Sequence, residues 1–435
     1  MAQQKPPIKS ICFLTFFLSD VQNGLGPYLA IYLLAYQHWN AATIGTVLTI
    51  MGLTTVITQT PAGDLIDRIY FKRAAIVFAA IVIGFACIFM VLTNDPYLIT
   101  TYNIMIGAVA SILPPAVAAI TLGITGPSFF TRQVGFNEAS NHAGNVTSAI
   151  LSGALAYLLG PQAVFYLVAF LALCAIATTA FINPKYINHD QACGGIKPSE
   201  TGKKKRAGLS ALLENKPLLT FALCISMFHF ANAAMLPLLG QKLSLGHNQE
   251  AITFISACIL VAQLTMIPVA LLVGAKADKW GRKPIFLVGF AVLPIRGLLF
   301  AYLDNPWALI PLQILDGIGA GIFGALFLIV IADLTQGTGR YNISQGAAAT
   351  AQGIGASLSA LVAGIIVVAL GYAAAFYFLA AIALIAFFML LVAMPESLNI
   401  DISKYTFVIS TYEVDDPLGD ESRYASPITN TESET

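Results

Sequence analysis

The sequence predicts an all-α membrane protein with twelve transmembrane helices. Hydrophobic residues make up 57% of the 435 residues and charged residues only 10%, and the mean hydropathy is +0.78. A large soluble protein normally carries about a quarter charged residues, so this composition argues against one. Twelve apolar stretches are each long enough to cross a bilayer, which takes about 20 residues in a helix. A charged loop also occurs twice, at matching places in the two halves of the chain.

These apolar stretches are called spans 1 to 12 below. Turn signals separate them, among them Asn94-Asp95-Pro96 and Asp304-Asn305-Pro306, whereas only Gly160-Pro161 divides spans 5 and 6. The predicted spans cover residues 10–35, 42–61, 72–93, 97–123, 136–159, 161–183, 217–240, 249–273, 284–303, 306–333, 343–369 and 372–394. We therefore expect an N-terminal six-helix bundle (1–183), a solvated linker (184–216), a C-terminal six-helix bundle (217–394) and a disordered polar tail (395–435).

The charged loop after span 2 recurs after span 8. The first copy covers residues 63–73 and the second covers residues 274–283, with Asp67 and Asp278 lying 211 residues apart (278 minus 67). The same offset relates Leu159-Gly160 to Leu370-Gly371. Two separate matches at one spacing indicate an internal duplication of about half the chain.

The second copy, Gly-x-x-x-Asp-Lys-x-Gly-Arg-Lys, resembles the signature loop between the second and third membrane helices of the major facilitator superfamily. The first copy has Tyr70 and Phe71 where the pattern has Gly and Arg. The resemblance implies two pseudo-symmetric six-helix bundles, each containing inverted three-helix repeats. It also implies a substrate site near the membrane midplane, between halves that rock around it.

Basic residues predict the orientation, because cytoplasmic loops carry an excess of Lys and Arg. The expected cytoplasmic side holds Lys5, Lys9, Arg68, Lys72, Arg73, Arg132, the linker, the second loop copy, Arg340 and the tail. The opposite side holds only Lys242. Both termini are therefore expected in the cytoplasm, with the chain in a bacterial inner membrane.

Other classes of partner are disfavoured by the sequence. The formal net charge is zero, so there is no basic field for nucleic acid. Five of the six cysteines lie in apolar stretches and no Cys-x-x-Cys occurs, which indicates buried thiols and no metal site. A phosphate-binding Gly-x-x-x-x-Gly-Lys-(Ser/Thr) loop is absent, so ATP is not the expected energy source. We expect no cofactor, a monomer in the lipid bilayer, and a small molecule and protons as partners.

Ionisable side chains inside a membrane are costly, so each is a candidate for function. Asp20 lies about 15 Å into span 1, and Asn23 shares its helix face. In span 5, Glu138 and His142 are four residues apart and could share a proton, while Asn141 and Asn145 extend the polar stripe. The alternative for all of them is helix-to-helix hydrogen bonding.

The second half offers a different set of polar residues. His229 and Asn232 lie three apart in span 7, and Gln345 and Gln352 lie seven apart in span 11. Arg296 in span 9 and Asp316 in span 10 are expected to pair, as a switch or as a static contact, because an unpaired buried charge is very costly. The proton-coupling candidates are Asp20, Glu138, His142 and Asp316. The substrate-lining candidates are Asn23, Asn141, Asn145, His229, Asn232, Arg296, Gln345 and Gln352.

The loop copies are expected to gate the pathway without binding substrate. An aspartate at a helix end can accept hydrogen bonds from backbone N–H groups or pair with basic residues of the other half, and glycine permits close helix approach. Such contacts would favour the outward-facing state. The gating residues are Gly63, Asp67, Arg68, Gly274, Asp278 and Arg282.

Two family patterns are incomplete in this sequence. The Arg-x-x-x-Gly pattern of the fourth helix has Gln313 at the arginine position in span 10 and Asn103 in span 4. The family's drug-exporter pattern in span 5 has Tyr157-Leu158 in place of Gly-Pro. We interpret the chain as a secondary transporter of a small polar organic solute, proton-coupled, with export favoured. The alternatives are proton-coupled uptake of a siderophore or nutrient, a non-transporting membrane sensor, and a membrane enzyme built on Glu138 and His142.

Overall fold

The structure is a computed structural model, and it is almost entirely helical. It describes residues 8–23, 29, 32–33, 37, 39, 41–160, 162–195, 205–207, 215–244, 251–400 and 411–413. The helices of spans 1 to 6 are Ile8–Asn23, Ala41–Arg68, Lys72–Val91, Pro96–Ala110 continued by Leu113–Leu159, and Gln162–Ala180. Those of spans 7 to 12 are Lys216–Ala233 with Met235–Ser244, Ala251–Trp280, Arg282–Tyr302, Pro306–Leu309 with Gln313–Thr335, Tyr341–Leu370 and Tyr372–Ala393.

Nine helical stretches of the described residues are long and apolar enough to cross a membrane. One of them, Pro96–Leu159, contains both span 4 and span 5, so the nine account for ten predicted spans. The helix of span 1 is described for only the 16 residues Ile8–Asn23, and the 28-residue helix of span 2 carries several threonines and two aspartates. The all-helical membrane fold is therefore confirmed.

Glycines with positive φ end the helices at the boundaries that the sequence marks most weakly. Span 4 passes into span 5 at Gly126 (φ 63°), just before Pro127, so span 5 begins about nine residues earlier than predicted. Span 5 ends at Gly160 (φ 90°) and span 11 ends at Gly371 (φ 88°). A side chain at such a φ would be strained, so glycine permits the sharp turn between spans.

The two halves are related by the duplication, but the offset is not uniform. In spans 2, 5 and 6 buried residues recur 211 positions later, whereas in spans 1, 3 and 4 they recur 210 positions later. The buried residues Lys72, Ile76, Ile83, Ala86 and Met90 of span 3 correspond to Arg282, Phe286, Leu293, Arg296 and Phe300 of span 9.

The change of offset corrects the comparison of the two loops. Asp67 and Lys72 are five positions apart (72 minus 67), but Asp278 and Arg282 are four positions apart (282 minus 278), so the first loop has one extra residue. Lys72 (1% exposed) therefore takes the place of the buried Arg282, while Phe71 is 74% exposed. The pattern of buried residues reveals this insertion, because a one-residue shift would turn each core residue of a helix away from its neighbours.

Each half has its own hydrophobic core. The N-terminal core includes Tyr32, Met90 and Phe165. The C-terminal core is built around a row of phenylalanines, in which the rings of Phe228 and Phe323 stack with centroids 5.4 Å apart. Apolar side chains such as Phe85 and Val392 cover the outer surface, as lipid requires.

The linker and the tail are more ordered than predicted. Residues 187–195, called the strap below, include the buried Ile187, Ala192 and Cys193, so this part of the linker is not solvated. Residues 395–400 of the tail pack against the C-terminal half, with Ser397 only 1% exposed. Strand β1 (Lys205–Ala207) of the linker pairs antiparallel with strand β2 (Thr411–Glu413) of the tail. The predicted disorder at 401–410 and 414–435 lies outside the described residues.

Candidate functional site

The first loop copy joins the two halves through a buried carboxylate. The end of the bundles at which both loop copies lie is called the motif side below. Asp67, 1% exposed, accepts hydrogen bonds from the backbone N–H of Asn342 (3.2 Å) and Ile343 (2.9 Å), and from the Asn342 amide (2.8 Å). These N–H groups belong to the first turn of span 11, where helix geometry leaves donors without partners and a negative charge is stabilising.

The second loop copy joins the halves through a cation. Arg282, 5% exposed, donates to Asp278 (2.7 Å) and Asp333 (3.0 Å) within the C-terminal half. It also donates to the Thr131 hydroxyl of span 5, at 3.2 Å. Asp278 itself has a side chain that is 48% exposed, and its salt bridge with Arg282 lies within its own half. Glu396 accepts hydrogen bonds from the Arg282 and Lys283 N–H groups and so caps span 9.

Glycines allow spans of opposite halves to touch on this side. A Cβ at Gly135 of span 5 would lie 2.7 Å from the Ala270 carbonyl oxygen of span 8. A Cβ at Gly346 of span 11 would collide with the Gln59 carbonyl oxygen of span 2. Both residues of this second contact are the 211-residue counterparts of the first. Gly63 and Gly274 lie in the same two contacts, against Asn342 and Gly135.

The strap crosses the joint at the first loop copy. The Cys193 thiol donates to the Asp67 carbonyl oxygen (3.2 Å), and the Cys193 carbonyl accepts from the N–H of Tyr341 (3.1 Å). The Gly194 carbonyl accepts from the N–H of Gly337 in the loop before span 11. The strap thus contacts both halves at the point where Asp67 meets span 11.

Arg68 does not take part in the contact between halves that the structure shows. Its side chain is 60% exposed and pairs with Asp64 of its own helix at 2.7 Å. Arg340, 1% exposed, pairs with the same Asp64 from the other half, at 3.1 Å. Arg340, just before span 11, therefore makes the contact between the halves that was expected of Arg68.

Glu138 and His142 lie on the face of span 5 that meets the C-terminal half. The His142 ring, 8% exposed, lies with Nδ1 2.8 Å from Oε1 of Gln263 in span 8. A carbonyl-type oxygen only accepts, so Nδ1 donates and Nε2 is the acceptor of the neutral ring. A Cβ at Gly324 of span 10 would lie 3.3 Å from the Glu138 carboxylate, and Asn141 lies beside that carboxylate.

Another N-terminal candidate, Asp20, lies among helices of its own half. Asp20, half-buried, lies beside Ser148 of span 5 and close to Cys87 of span 3. Asn145 is half-buried on span 5. The Asn23 side chain lies outside the described residues. Asp20 is thus separate from the Glu138–His142 contact in the structure, although the sequence makes all three residues proton-coupling candidates.

Arg296 and Asp316 form the ion pair that their burial requires. The Arg296 guanidinium also lies 5.4 Å from the centre of the Phe300 ring. Asn232 of span 7 lines the same small cavity as this pair. Among the described residues, no hydrogen bond or ring contact joins His229 to this ion pair. It donates from Nδ1 to its own-helix carbonyl of Ile225 (3.0 Å) and packs edge-on against Phe323.

The two glutamines of span 11 differ in burial. Gln345 is 3% exposed and its Oε1 has no hydrogen-bond partner among the described residues. Gln352, two turns further, is half-buried. Between them Thr350 reaches the other half, with its hydroxyl 3.0 Å from that of Thr60 in span 2.

Several residues of these contacts were not found from the sequence. Thr131 and Asn342, which receive the two loop copies, are themselves 211 residues apart, so the repeat offset carried a usable signal. Gln263 is a single amide in an apolar span. Nothing local marks Cys193 or Glu396, because their contacts are distant in sequence.

The sequence profile of the Major Facilitator Superfamily matches residues 11–293 and 253–404. The chain belongs to the major facilitator superfamily. A relative from Mycobacterium tuberculosis, described as an uncharacterized MFS-type transporter, is 48% identical over 394 residues, which is 91% of this chain and 94% of that protein. The protein is thus an integral, multi-pass member of a family of membrane transporters.

The chain is also similar, more distantly, to other transport proteins. The multidrug resistance protein MdtG of Proteus mirabilis is 29% identical over 160 residues, 36% of this chain and 40% of that protein. The structure of the proton:xylose symporter XylE superposes with a TM-score of 0.67 over 90% of this chain and 95% of that chain, at 13% identity. At that identity the superposition shows the superfamily fold alone.

Proposed function

We propose that this superfamily member is a proton-coupled exporter of a small, polar organic solute. The observation that carries the proposal is the position of Glu138 and His142, on the face of span 5 that contacts Gln263 and Gly324 of the other half. Ionisable groups in a membrane mark proton or substrate pathways by default, because burial there is costly.

Their position couples protonation to movement of the halves. His142 donates across the interface, so a change in its charge or in that of Glu138 alters the free energy of the contact between spans 5 and 8. A proton can bias alternating access only if it binds the two states with different affinity. A group at the interface meets that condition, since its surroundings change when the halves separate. Asp20, enclosed by spans 1, 3 and 5, is a second candidate for the same role.

The motif side is proposed to be the cytoplasmic side, with both termini there, in a bacterial inner membrane. The excess of Lys and Arg on that side supports this orientation. Asp67, Arg282 and Arg340 then hold the cytoplasmic ends together, and these bonds break when the pathway opens inward. Similarity to a multidrug resistance protein favours export. The amides of spans 5 and 11 suit a solute that makes hydrogen bonds.

The test is proton movement in proteoliposomes that contain the purified protein. A panel of amino acids, organic acids, sugars, siderophores and drugs is offered against a pH gradient, and internal pH and solute are both followed. We expect one solute class to drive proton flux in the wild type. Glu138→Gln should lower the rate of proton flux at least about tenfold, which corresponds to about 1.4 kcal/mol.

Thr147→Val is the matched control. Thr147 lies on the same helix and is exposed, and its hydroxyl donates to the carbonyl of Ala143 in that helix. It should transport like the wild type. Solute flux with no proton signal, equal in wild type and Glu138→Gln, would make the protein a carrier that is not coupled through Glu138. Binding of a solute with no flux would favour the sensor.

A further inference from the structure

The contact between His142 and Gln263 leaves one nitrogen of the histidine ring without a partner. The Nδ1 atom lies 2.8 Å from the amide oxygen of Gln263, across the contact between spans 5 and 8. The Nε2 atom is buried and has no hydrogen-bond partner among the described residues. Buried polar atoms are normally hydrogen-bonded, so a buried Nε2 without a partner calls for an explanation.

The amide of Gln263 determines which ring nitrogen carries the hydrogen. A neutral imidazole has one N–H and one acceptor nitrogen, and the hydrogen bond of one nitrogen sets the role of the other. Because an amide oxygen only accepts, Nδ1 of His142 carries the hydrogen and the free lone pair lies on Nε2. A proton that binds the ring adds to this lone pair. The resulting cation keeps its Nδ1–H bond to Gln263, and that bond becomes charge-assisted.

The duplicated scaffold forms the same helix contact without either side chain. At the 211-residue offset, His142 corresponds to Gly353 of span 11, and Gln263 corresponds to Gly52 of span 2. A Cβ at Gly353 would lie 2.7 Å from the side chain of Val56, and one at Gly52 would meet nothing within 4 Å. Spans 2 and 11 therefore pack at this level through an apolar side chain. Helix packing alone thus gives no reason for a histidine and an amide between spans 5 and 8.

The ionisable neighbour of the ring on its own helix is Glu138, one turn earlier, whose carboxylate faces Gly324 of span 10. On span 8 the titratable residue nearest in sequence to Gln263 is Cys258, more than one turn away and beside span 10. Spans 1, 3, 10 and 11 also pack against span 5, and their described titratable residues are Lys9, Cys12, Asp20, Lys72, Arg73, Cys87, Asp316, Asp333 and Tyr341. Among the described residues, no hydrogen bond or ion pair joins any of these to the ring.

Resting on the proposed proton coupling, we propose that Gln263 is a positioning residue for His142. It holds the ring in the tautomer with the hydrogen on Nδ1, and so makes Nε2 the atom that takes up the coupled proton. Gln263 acts through the ring, since an amide does not itself titrate. The two residues lie in opposite halves, so the tautomer is fixed only while spans 5 and 8 are in contact.

The test is ¹⁵N NMR of the full-length protein in detergent, labelled at its histidines. The chain has five histidines, and the signals of His142 are those lost in His142→Gln. In the wild type at pH 8 we expect a hydrogen on Nδ1 and none on Nε2. On acidification, Nε2 should gain the proton. A neutral wild-type ring that carries its hydrogen on Nε2 would overturn the proposal.

Two substitutions of Gln263 should move the titration of His142 in opposite directions. Gln263→Met keeps the size but removes the acceptor, so the neutral ring should become a mixture of tautomers. Its titration midpoint should fall by at least about one pH unit, a tenfold loss of proton affinity, because the cation loses a hydrogen bond. Gln263→Glu keeps the acceptor and adds a negative charge, so it should keep the tautomer and raise the midpoint by at least about one unit.

The control is Leu264→Ala, at a position of the same span that is 50% exposed, and it should change neither the tautomer nor the midpoint. Midpoints that shift in the same direction in both variants of Gln263, or in neither, would contradict the positioning role. If Gln263→Met does not fold, the wild-type tautomer and Gln263→Glu decide the question.

Transport separates this proposal from the proposed function. In proteoliposomes, the pH at which proton flux is half-maximal should follow the NMR midpoint in Gln263→Glu. If the tautomer and the midpoints are as expected but the wild type moves no protons, the positioning role stands and the proposed coupling fails. If the wild type couples protons while both variants of Gln263 keep its tautomer, midpoint and pH profile, the coupling stands and the positioning role fails.

Discussion

The two copies of the charged loop join corresponding positions of the two halves, one through an anion and the other through a cation. At the first copy, an anion, Asp67, receives three hydrogen bonds from Asn342 and Ile343. At the second copy, a cation, Arg282, donates to Thr131, the counterpart of Asn342. The duplication thus preserves which positions of the two halves meet, but the hydrogen bonds that join them differ.

The difference follows from where the receiving helices begin. Span 11 begins at Tyr341, so the N–H groups of Asn342 and Ile343 lie in its first turn and are free to bind a carboxylate. Span 5 follows the break at Gly126, so Thr131 already lies past the first turn. Its N–H has a partner within the helix, and only its hydroxyl is available. Asp278 therefore has no helix end to cap, and Arg282 makes the contact. We infer that the first copy is the stronger of the two.

The largest effect expected from this comparison is that of Asp67→Asn. The substitution removes the charge from the helix end and leaves a buried donor facing donors, which should destabilise the closed motif side by about 2–3 kcal/mol. Asp278→Asn should change it by less than about 1 kcal/mol, because that side chain is 48% exposed. The measurement is the rate of disulfide formation between Thr60→Cys and Thr350→Cys, whose hydroxyls lie 3.0 Å apart, with the native cysteines replaced. Equal effects of the two asparagines would contradict the inference.

A second prediction concerns the contact between a glycine and a carbonyl of the other half, which occurs near both loop copies. Gly135→Ala and Gly346→Ala each place a Cβ against a carbonyl of the other half, at Ala270 and at Gln59. Each should weaken closure by about 1–3 kcal/mol, and by similar amounts, because the contacts are counterparts. Gly153→Ala and Gly364→Ala are controls on the same two helices, since a Cβ there meets nothing within 4 Å. The same disulfide rate is measured, and a control as harmful as its partner would show a helix effect instead.

The smallest expected effect concerns the strap over the first copy. Burial and the nearby Lys72 lower the pKa of His189 below its ordinary 6.5, against the opposing effect of Asp190. The docked strap therefore favours the neutral ring, which also lies 5.0 Å from that of Tyr70. Docking is favoured above about pH 6.5 and weakens as the pH falls toward the lowered pKa, where a detached strap binds the proton more readily.

Hydrogen exchange of the Tyr341 and Gly337 amides, which donate to the strap, measures that docking. After correction for intrinsic exchange, their protection should fall between about pH 7 and pH 5.5 in the wild type. His189→Gln should remove most of this pH dependence. The Leu303 amide, which bonds the Leu299 carbonyl on span 9, is the control and should not change. A fall that persists in His189→Gln would assign the pH effect to another group.

The periodic and compositional features of the chain could be read from the sequence. Apolar length located the spans, and Gly160 ended its helix as the turn signal predicted. Burial cost predicted that Arg296 would find Asp316. These inferences succeed because each depends on one helix, or on a charge that has few possible partners.

The other side-chain roles could not be read in this way. Arg68 and Arg340 are both basic residues near the motif side, yet only Arg340 is buried and linked to the other half. His142 and His229 are both histidines in apolar spans, but one donates to Gln263 of the other half and the other bonds its own backbone. Helix rotation decides between these outcomes, and no local pattern fixes it.

By itself the sequence determined the membrane class, the spans, the duplication and the superfamily resemblance, because hydropathy, helix length and a repeated loop are local properties of the chain. Only the tertiary structure decided that Asp67 caps span 11 and that Arg282, in place of Asp278, contacts the other half at the second loop copy. It also decided that Cys193 holds the strap against the first loop copy. Those contacts join residues more than a hundred positions apart. Their partners are chosen by how the helices pack and where each one begins.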